Sequence, residues 1–250
     1  MTDLSINLNK ISLIRNSREG NYPNIVKHAQ ICIDNGADGI TVHPRPDQRH
    51  IRPDDVTQLA RLIEPIKDIE FNVEGNPFAS ATNGYPGFIE LVEETRPDQC
   101  TLVPDSNDQL TSDHGFDIKL YASDLAPIIS RLKNLGIRVS LFMEPDCEQI
   151  KLASELGIDR IELYTGPYAS AWGSEDLEPI FLRHQQAASL CESLQIGVNA
   201  GHDLNLENLS RFASIKNLLE VSIGHAFIVD SISMGMACAV KAYKDALSKG

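Results

Sequence analysis

His43, Arg45, Arg49 and His50 lie within eight residues of one another, directly behind the short apolar run 40–42. An imidazole moves protons near neutral pH, and a guanidinium can fork two hydrogen bonds onto an anion. The cluster therefore reads as proton transfer beside a phosphate or carboxylate. Glu74 stands at the end of a second apolar run, and Glu162 alternates with Ile161 and Leu163. His202 and His225 each follow a glycine, in Asn199-Ala200-Gly201-His202 and Gly224-His225. Each has a plainer reading: a histidine behind an apolar strand is often a hydrogen-bonded core residue, and a carboxylate is often solvated or paired with an arginine.

The elements that must position these residues alternate along the chain. Strands are expected at 5–7, 39–42, 69–73, 99–103, 138–142, 160–163, 197–199 and 220–223. Between them the sequence predicts helices over 23–35, 53–66, 86–95, about 121–135, 147–156, 177–194 and about 205–215. Gly36, Gly136 and Gly157 are their stops, and Asn205 is a candidate cap. Residues 9–21 show no helix pattern and read as a polar loop, as do 165–174. Eight strands, each followed by a helical segment, within 250 residues predict an α/β fold, a (β/α)8 TIM barrel with additional short helices in a single domain. In such a barrel the loops after the strands share one face, so Asn7, His43, Glu74, Glu162, His202 and His225 are expected to converge. Glu162 should point inside and need a cationic or hydrogen-bonding partner.

The composition excludes several function classes. A formal net charge of −13 and a pI near 4.9 repel nucleic acid and anionic membrane surfaces, so an anionic ligand needs a local cationic pocket. Five scattered cysteines, without a Cys-x-x-Cys pair, read as reduced thiols in a cytoplasmic protein. No apolar run is long enough to span a bilayer. The histidines lack the spacing of the usual metal motifs, and no barrel strand ends in a lysine that could form a Schiff base.

Taken in order, the motifs resemble one family. They are Asn7-x-Asn9-Lys10 leading to Leu13-Ile14-Arg15-Asn16-Ser17-Arg18, residues 36–45 through His43-x-Arg45, Arg49-His50-Ile51, Asn72-Val73-Glu74, Val198-Asn199-Ala200-Gly201-His202 and Ile223-Gly224-His225. Together they are similar to pyridoxine 5'-phosphate synthases, across nearly the whole chain. The resemblance implies a barrel with extra helices, no metal or organic cofactor, and assembly as a homo-octamer. It also implies condensation of 3-amino-2-oxopropyl phosphate with 1-deoxy-D-xylulose 5-phosphate, two phosphorylated small molecules. By motif, His43 and Glu74 resemble the family's proton acceptors, His202 its proton donor and Glu162 a stabilising carboxylate. Asn7, Arg18, Asp203, Gly224 and His225 fall on positions that hold the aminoketone phosphate. Asn9, Lys10, Arg45, His50 and Thr111 fall on those for the deoxyxylulose phosphate.

The chain departs from the family pattern at Asn9-Lys10, where many members have Asp-His, and at Asp203, where they have glycine. Two alternatives of other kinds remain beside this reading: another phosphosugar isomerase or epimerase barrel, and a silent barrel that only binds phosphorylated metabolites. Two phosphate grips of different character are expected, one of backbone amides after strands seven and eight, the other of side chains with Arg45 and His50 supplying positive charge. Arg18, in the first loop, is expected to complete a neighbouring subunit's site.

Overall fold

A computed structural model describes residues 2–106 and 109–250. Eight strands, β1 (Asp3–Asn7), β2 (Gly39–Val42), β3 (Glu70–Gly75), β4 (Gln99–Leu102), β5 (Arg138–Met143), β6 (Arg160–Tyr164), β7 (Gly197–Gly201) and β8 (Leu218–Ile223), pair in sequence order. All pairs are parallel, and β8 returns to β1 to close the barrel. The expected (β/α)8 architecture is therefore present. The helices are α1 (Asn9–Asn16), α2 (Ile25–Asp34), α3 (Pro53–Ile63), α4 (Phe88–Thr95), α5 (Ile118–Asn134), α6 (Cys147–Ser154), α7 (Gly166–Ser170), α8 (Leu177–Ser193), α9 (Leu209–Ala213), α10 (His225–Met234) and α11 (Met236–Leu247).

Each strand alternates between two different environments. Leu4, Ile6, Ile40, Val42, Phe71, Val73, Leu141, Leu163, Val221 and Ile223 are buried in the apolar layer beneath the helices. Their neighbours Ser5, Thr41, Asn72, Thr101, Asn199 and Glu220 are also buried and hydrogen-bond across the inside: Ser5 with Thr41 at 2.7 Å, Thr101 with Asn72 at 3.1 Å, Asn199 with Glu220 at 3.1 Å. The barrel interior is a polar network where many barrels hold branched aliphatic side chains.

Helix α3 shows how the sequence writes the outer layer. Val56, Leu59 and Ile63 recur on one buried face, Pro53 occupies the first turn, and the Asp55 carboxylate accepts from the Arg52 amide at 2.8 Å. Gly36, Gly136 and Gly157 follow α2, α5 and α6 with φ of 101°, 80° and 74°, left-handed values that let the chain turn out of each helix.

Residues 9–16 depart from the expected loop, being helical as α1. Ile11, Ser12 and Arg15 form its buried face, and Arg15 is matched by Asp55 of α3 and by the His50 carbonyl. A helical period with an arginine on its inward face does not show in hydropathy. The stretch 165–174, also expected as loop, contains α7, whose Tyr168 is fully buried and donates to the Asn208 carbonyl at 2.8 Å. Helix α2 starts at Ile25, two residues past the expected Pro23, and Asn24 caps it by accepting from the Lys27 amide. Asn205 caps a turn rather than a helix, since α9 begins only at Leu209.

Candidate active site

At the end of the barrel where the strands finish, a cavity of about 340 Å³ gathers residues from all parts of the chain. It is lined by Asn7, Asn9, Lys10, His43, Arg45, His50, Glu74, Thr111, Glu162, His202, Asp203, Gly224 and His225, together with Val103, Leu110, Ser112, Phe142 and Ser222. Of the residues singled out in the sequence, Arg18 and Arg49 are not among those that line it. Arg18 is exposed beyond the end of α1. A larger cavity of about 540 Å³ opens beside loop 104–106, but Asp105 and Tyr121 are the titratable side chains on its walls. Acid–base chemistry therefore belongs to the smaller cavity.

His43 follows β2 and is held from two sides. Its backbone amide donates to Asn9 Oδ1 at 2.9 Å, and Asn9 in turn donates its amide to Asn7 Oδ1 at 3.0 Å. Its Nδ1 lies 3.6 Å from Glu74 Oε2 and its Nε2 lies 3.1 Å from Asp105 Oδ2. Burial would lower the His43 pKa, but the flanking Asp105 and Glu74 carboxylates outweigh it and leave the imidazole above its ordinary value. Glu74 accepts long hydrogen bonds of 3.4 Å from Asn7 Nδ2 and from Asn72 Nδ2.

Glu162 lies inside the barrel, as its alternation implied, but with no cation against it. Burial, with Glu74 and Glu220 adding repulsion, holds its pKa well above the usual carboxylate range, opposed by a hydrogen bond to Thr101. The Thr101 hydroxyl donates to Asn72 Oδ1 at 3.1 Å, and the Asn72 amide group donates to Glu74 Oε1 at 3.4 Å. Glu162 thus sits beside a chain of hydrogen bonds that runs from Thr101 to Glu74. Gly201 of β7 makes room for this: a Cβ there would overlap Glu162 Oε1.

One cationic expectation needs correction. His50 is neutral, because burial and the positive neighbours His43, Arg45 and Lys10 push its pKa down to about 2. Its Nδ1 accepts from the Ile51 amide at 2.9 Å, which leaves the proton on Nε2, so it can donate a hydrogen bond but supplies no charge. Arg45 keeps its charge and forms an ion pair with the buried Asp105. Asp105 was missed in the sequence, although it stands two residues past an apolar strand end in the manner of His43 and Glu74.

On the opposite rim, His202 Nδ1 lies 2.9 Å from Asp203 Oδ2, and His202 Nε2 lies 3.0 Å from Thr111 Oγ1. Both His202 and Asp203 have positive φ, 85° and 60°. The His202 hydrogen bond, only partly offset by burial, holds the Asp203 carboxyl below its usual range, so it is an anion turned onto the imidazole. Helix α10 starts at His225 with no side-chain cap hydrogen bond, and Gly224 and His225 at its start line the cavity. Among the described residues no group of three or more His, Cys, Asp or Glu side chains is arranged to hold a metal ion.

Fold and site together define a (β/α)8-barrel enzyme whose mouth carries acids, bases and cations around one small cavity. The chain belongs to the PdxJ family, "Pyridoxal phosphate biosynthesis protein PdxJ", whose model matches residues 4–249. It is 50% identical over 250 residues to a pyridoxine 5'-phosphate synthase of Xanthomonas axonopodis pv. citri (strain 306), covering 100% of this chain and 98% of the relative. It is 47% identical over 247 residues to one of Xylella fastidiosa (strain M23), covering 98% and 95%. Among solved structures, the tryptophan synthase alpha subunit of Legionella pneumophila str. Paris superimposes with a TM-score of 0.63 at 12% identity, covering 100% of this chain and 94% of that one, a likeness of fold alone.

Proposed function

We propose that the protein is a pyridoxine 5'-phosphate synthase, condensing 3-amino-2-oxopropyl phosphate with 1-deoxy-D-xylulose 5-phosphate to pyridoxine 5'-phosphate, inorganic phosphate and water. The observation that carries this reading is that the residues to which the resemblance gives a catalytic or substrate-binding role, Arg18 excepted, line one cavity. Imine formation, dehydration, phosphate departure and ring closure each move protons, and this cavity offers groups suited to both directions. His43 and Glu74 act as proton acceptors, His202 as proton donor, and Glu162 as a stabilising carboxyl group beside Glu74. The aminoketone phosphate sits against Gly224, His225 and the amides of α10. The deoxyxylulose phosphate sits against Asn9, Lys10, Arg45 and His50, with Thr111 reaching in beside His202.

Assembly of several copies is supported by apolar side chains left exposed on two neighbouring helices, Leu13 and Ile14 on α1 and Val229 and Ile232 on α10, the last 79% exposed. We read the assembly as an octamer in which Arg18, beside this surface, completes an adjacent subunit's site. Mixing Arg18→Ala with His43→Asn chains should then regenerate activity that neither variant has. No helix among the described residues is long and apolar enough to cross a membrane, and the five cysteines are free, which supports a cytoplasmic setting.

The test is to incubate the purified protein with both substrates and follow pyridoxine 5'-phosphate and released phosphate together. Equal amounts of the two are expected. Conversion of the deoxyxylulose phosphate alone would favour an isomerase, and binding without turnover a silent barrel.

A further inference from the structure

Asp105 comes from the segment after β4, yet its carboxylate is the most heavily used acceptor beside the cavity. Oδ2 faces His43 Nε2 at 3.1 Å, accepts from Ser112 Oγ at 3.1 Å and pairs with Arg45. The side chain is buried, as is His43. Three donors on one oxygen require the ionised carboxylate, and burial, which alone would favour the neutral acid, is outweighed by the His43 and Arg45 contacts. An ionised Asp105 can only accept from His43, so in neutral His43 the proton sits on Nε2 and the lone pair on Nδ1.

Among the described residues, Nδ1 has no partner as close as the one on Nε2. The nearest acidic atom, Glu74 Oε2, is 3.6 Å away and is also an acceptor. The groups that face His43 are Glu74 of β3, Asp105 after β4, Arg45 of its own loop and His50, whose ring centre is 6.4 Å off. Of these, Asp105 alone fixes which ring nitrogen carries the proton.

We propose that Asp105 is a positioning residue: it holds the Nε2–H of His43, directs the Nδ1 lone pair into the cavity, and stabilises the imidazolium that forms when Nδ1 takes a proton from substrate. In that step the substrate's bond to hydrogen breaks, its electron pair stays on the substrate, and the proton ends on Nδ1, while Asp105 remains a carboxylate throughout. The inference rests on the acid–base reading of His43 above. It adds that the base is assembled from two loops, so that the segment after β4 must be in place for His43 to act.

Asp105→Asn and Asp105→Glu test it, each followed by the pH profile of kcat/KM and by an NMR titration of the His43 ring. Removing the anion should drop the His43 pKa by about one unit or more and move the acid limb of the profile to lower pH, since the base then stays deprotonated further down. The plateau rate should fall roughly a hundredfold or more at the same time, because the amide can also hold the wrong tautomer. Asp105→Glu should recover part of the rate and keep the acid limb near its original pH. An Asp105→Asn protein with an unmoved His43 titration overturns the proposal, as does an Asp105→Glu protein that titrates like Asp105→Asn. The NMR reading is independent of turnover: absence of product with a displaced His43 pKa would sink the synthase reading and keep the pair. Should Asp105→Asn fail to fold, the Asp105→Glu titration alone decides.

Discussion

The mouth and the floor of the barrel use the same residue types to opposite ends. At the floor, where the strands begin, Arg138 pairs with Glu70, and Glu220 accepts from Arg160 at 3.1 Å, from Asn199 at 3.1 Å and from Gln99 at 3.4 Å. These groups satisfy one another. At the mouth, His43, Glu74, Lys10 and His202 face a cavity, and several of their polar atoms have only long or one-sided contacts. A buried charge is thus structural where its neighbours complete it and chemical where a ligand must.

The sharpest way to break that contrast is at His43 and Glu74. His43→Asn and Glu74→Gln should each lower turnover by roughly a hundred- to ten-thousandfold, the range for a lost general base, with the melting temperature little changed. Steady-state kinetics beside thermal unfolding decide it, and a rate loss explained wholly by unfolding would place these residues with the floor. The converse change is Arg160→Met. It leaves Glu220 buried without its cation and should cost about 3–5 kcal/mol of stability at pH 8, with kcat and KM of the folded enzyme intact.

Glu220 also sharpens the contrast through pH. Burial pushes its pKa from 4.5 up to about 7, against the opposing pull of Arg160. A raised carboxyl favours folding while protonated, so its contribution is whole below about pH 4.5 and is lost as pH rises through 7. The span corresponds to roughly 3 kcal/mol. Denaturant unfolding from pH 4.5 to 8 should show that slope in the parent protein, and Glu220→Gln should flatten it. An unaltered slope would move the titration to another group.

The smallest expected effect returns to the mouth. Arg45→Ala should weaken the deoxyxylulose phosphate by about tenfold or more, a charged hydrogen bond being worth roughly 1.5–3 kcal/mol, and the aminoketone phosphate far less. Separate binding titrations of the two substrates check it. Equal weakening of both would mean that Arg45, through Asp105, supports the whole mouth and not one phosphate.

How much of this was legible in the sequence follows from period and from pairing. Strand positions came from apolar runs and glycine stops, and the strand-end rule found His43, Glu74 and Glu162 because each closes or interrupts such a run. Asp105 obeys the same rule but was absorbed into what looked like a long polar loop. Helix α1 was hidden because its inward Arg15 is neutralised by Asp55, forty positions on. His50 was misjudged as a cation because its charge state is set first by burial and then by four cationic neighbours, of which Lys10 comes from far along the chain. Sequence periodicity reports what faces water or oil; it carries no record of partners supplied from elsewhere.

Gly201 and Glu162 occupy one volume between them, and that shapes which variants of the enzyme can be reached by stepwise change. Any side chain at 201 must displace the carboxyl at 162, so a library randomised at 201 alone should favour glycine among the most active clones. A shorter residue at 162 would admit alanine or serine at 201 but sever the link to Thr101. The two positions are therefore epistatic, and a lineage that lost either would have to cross a valley of less active intermediates to recover the other.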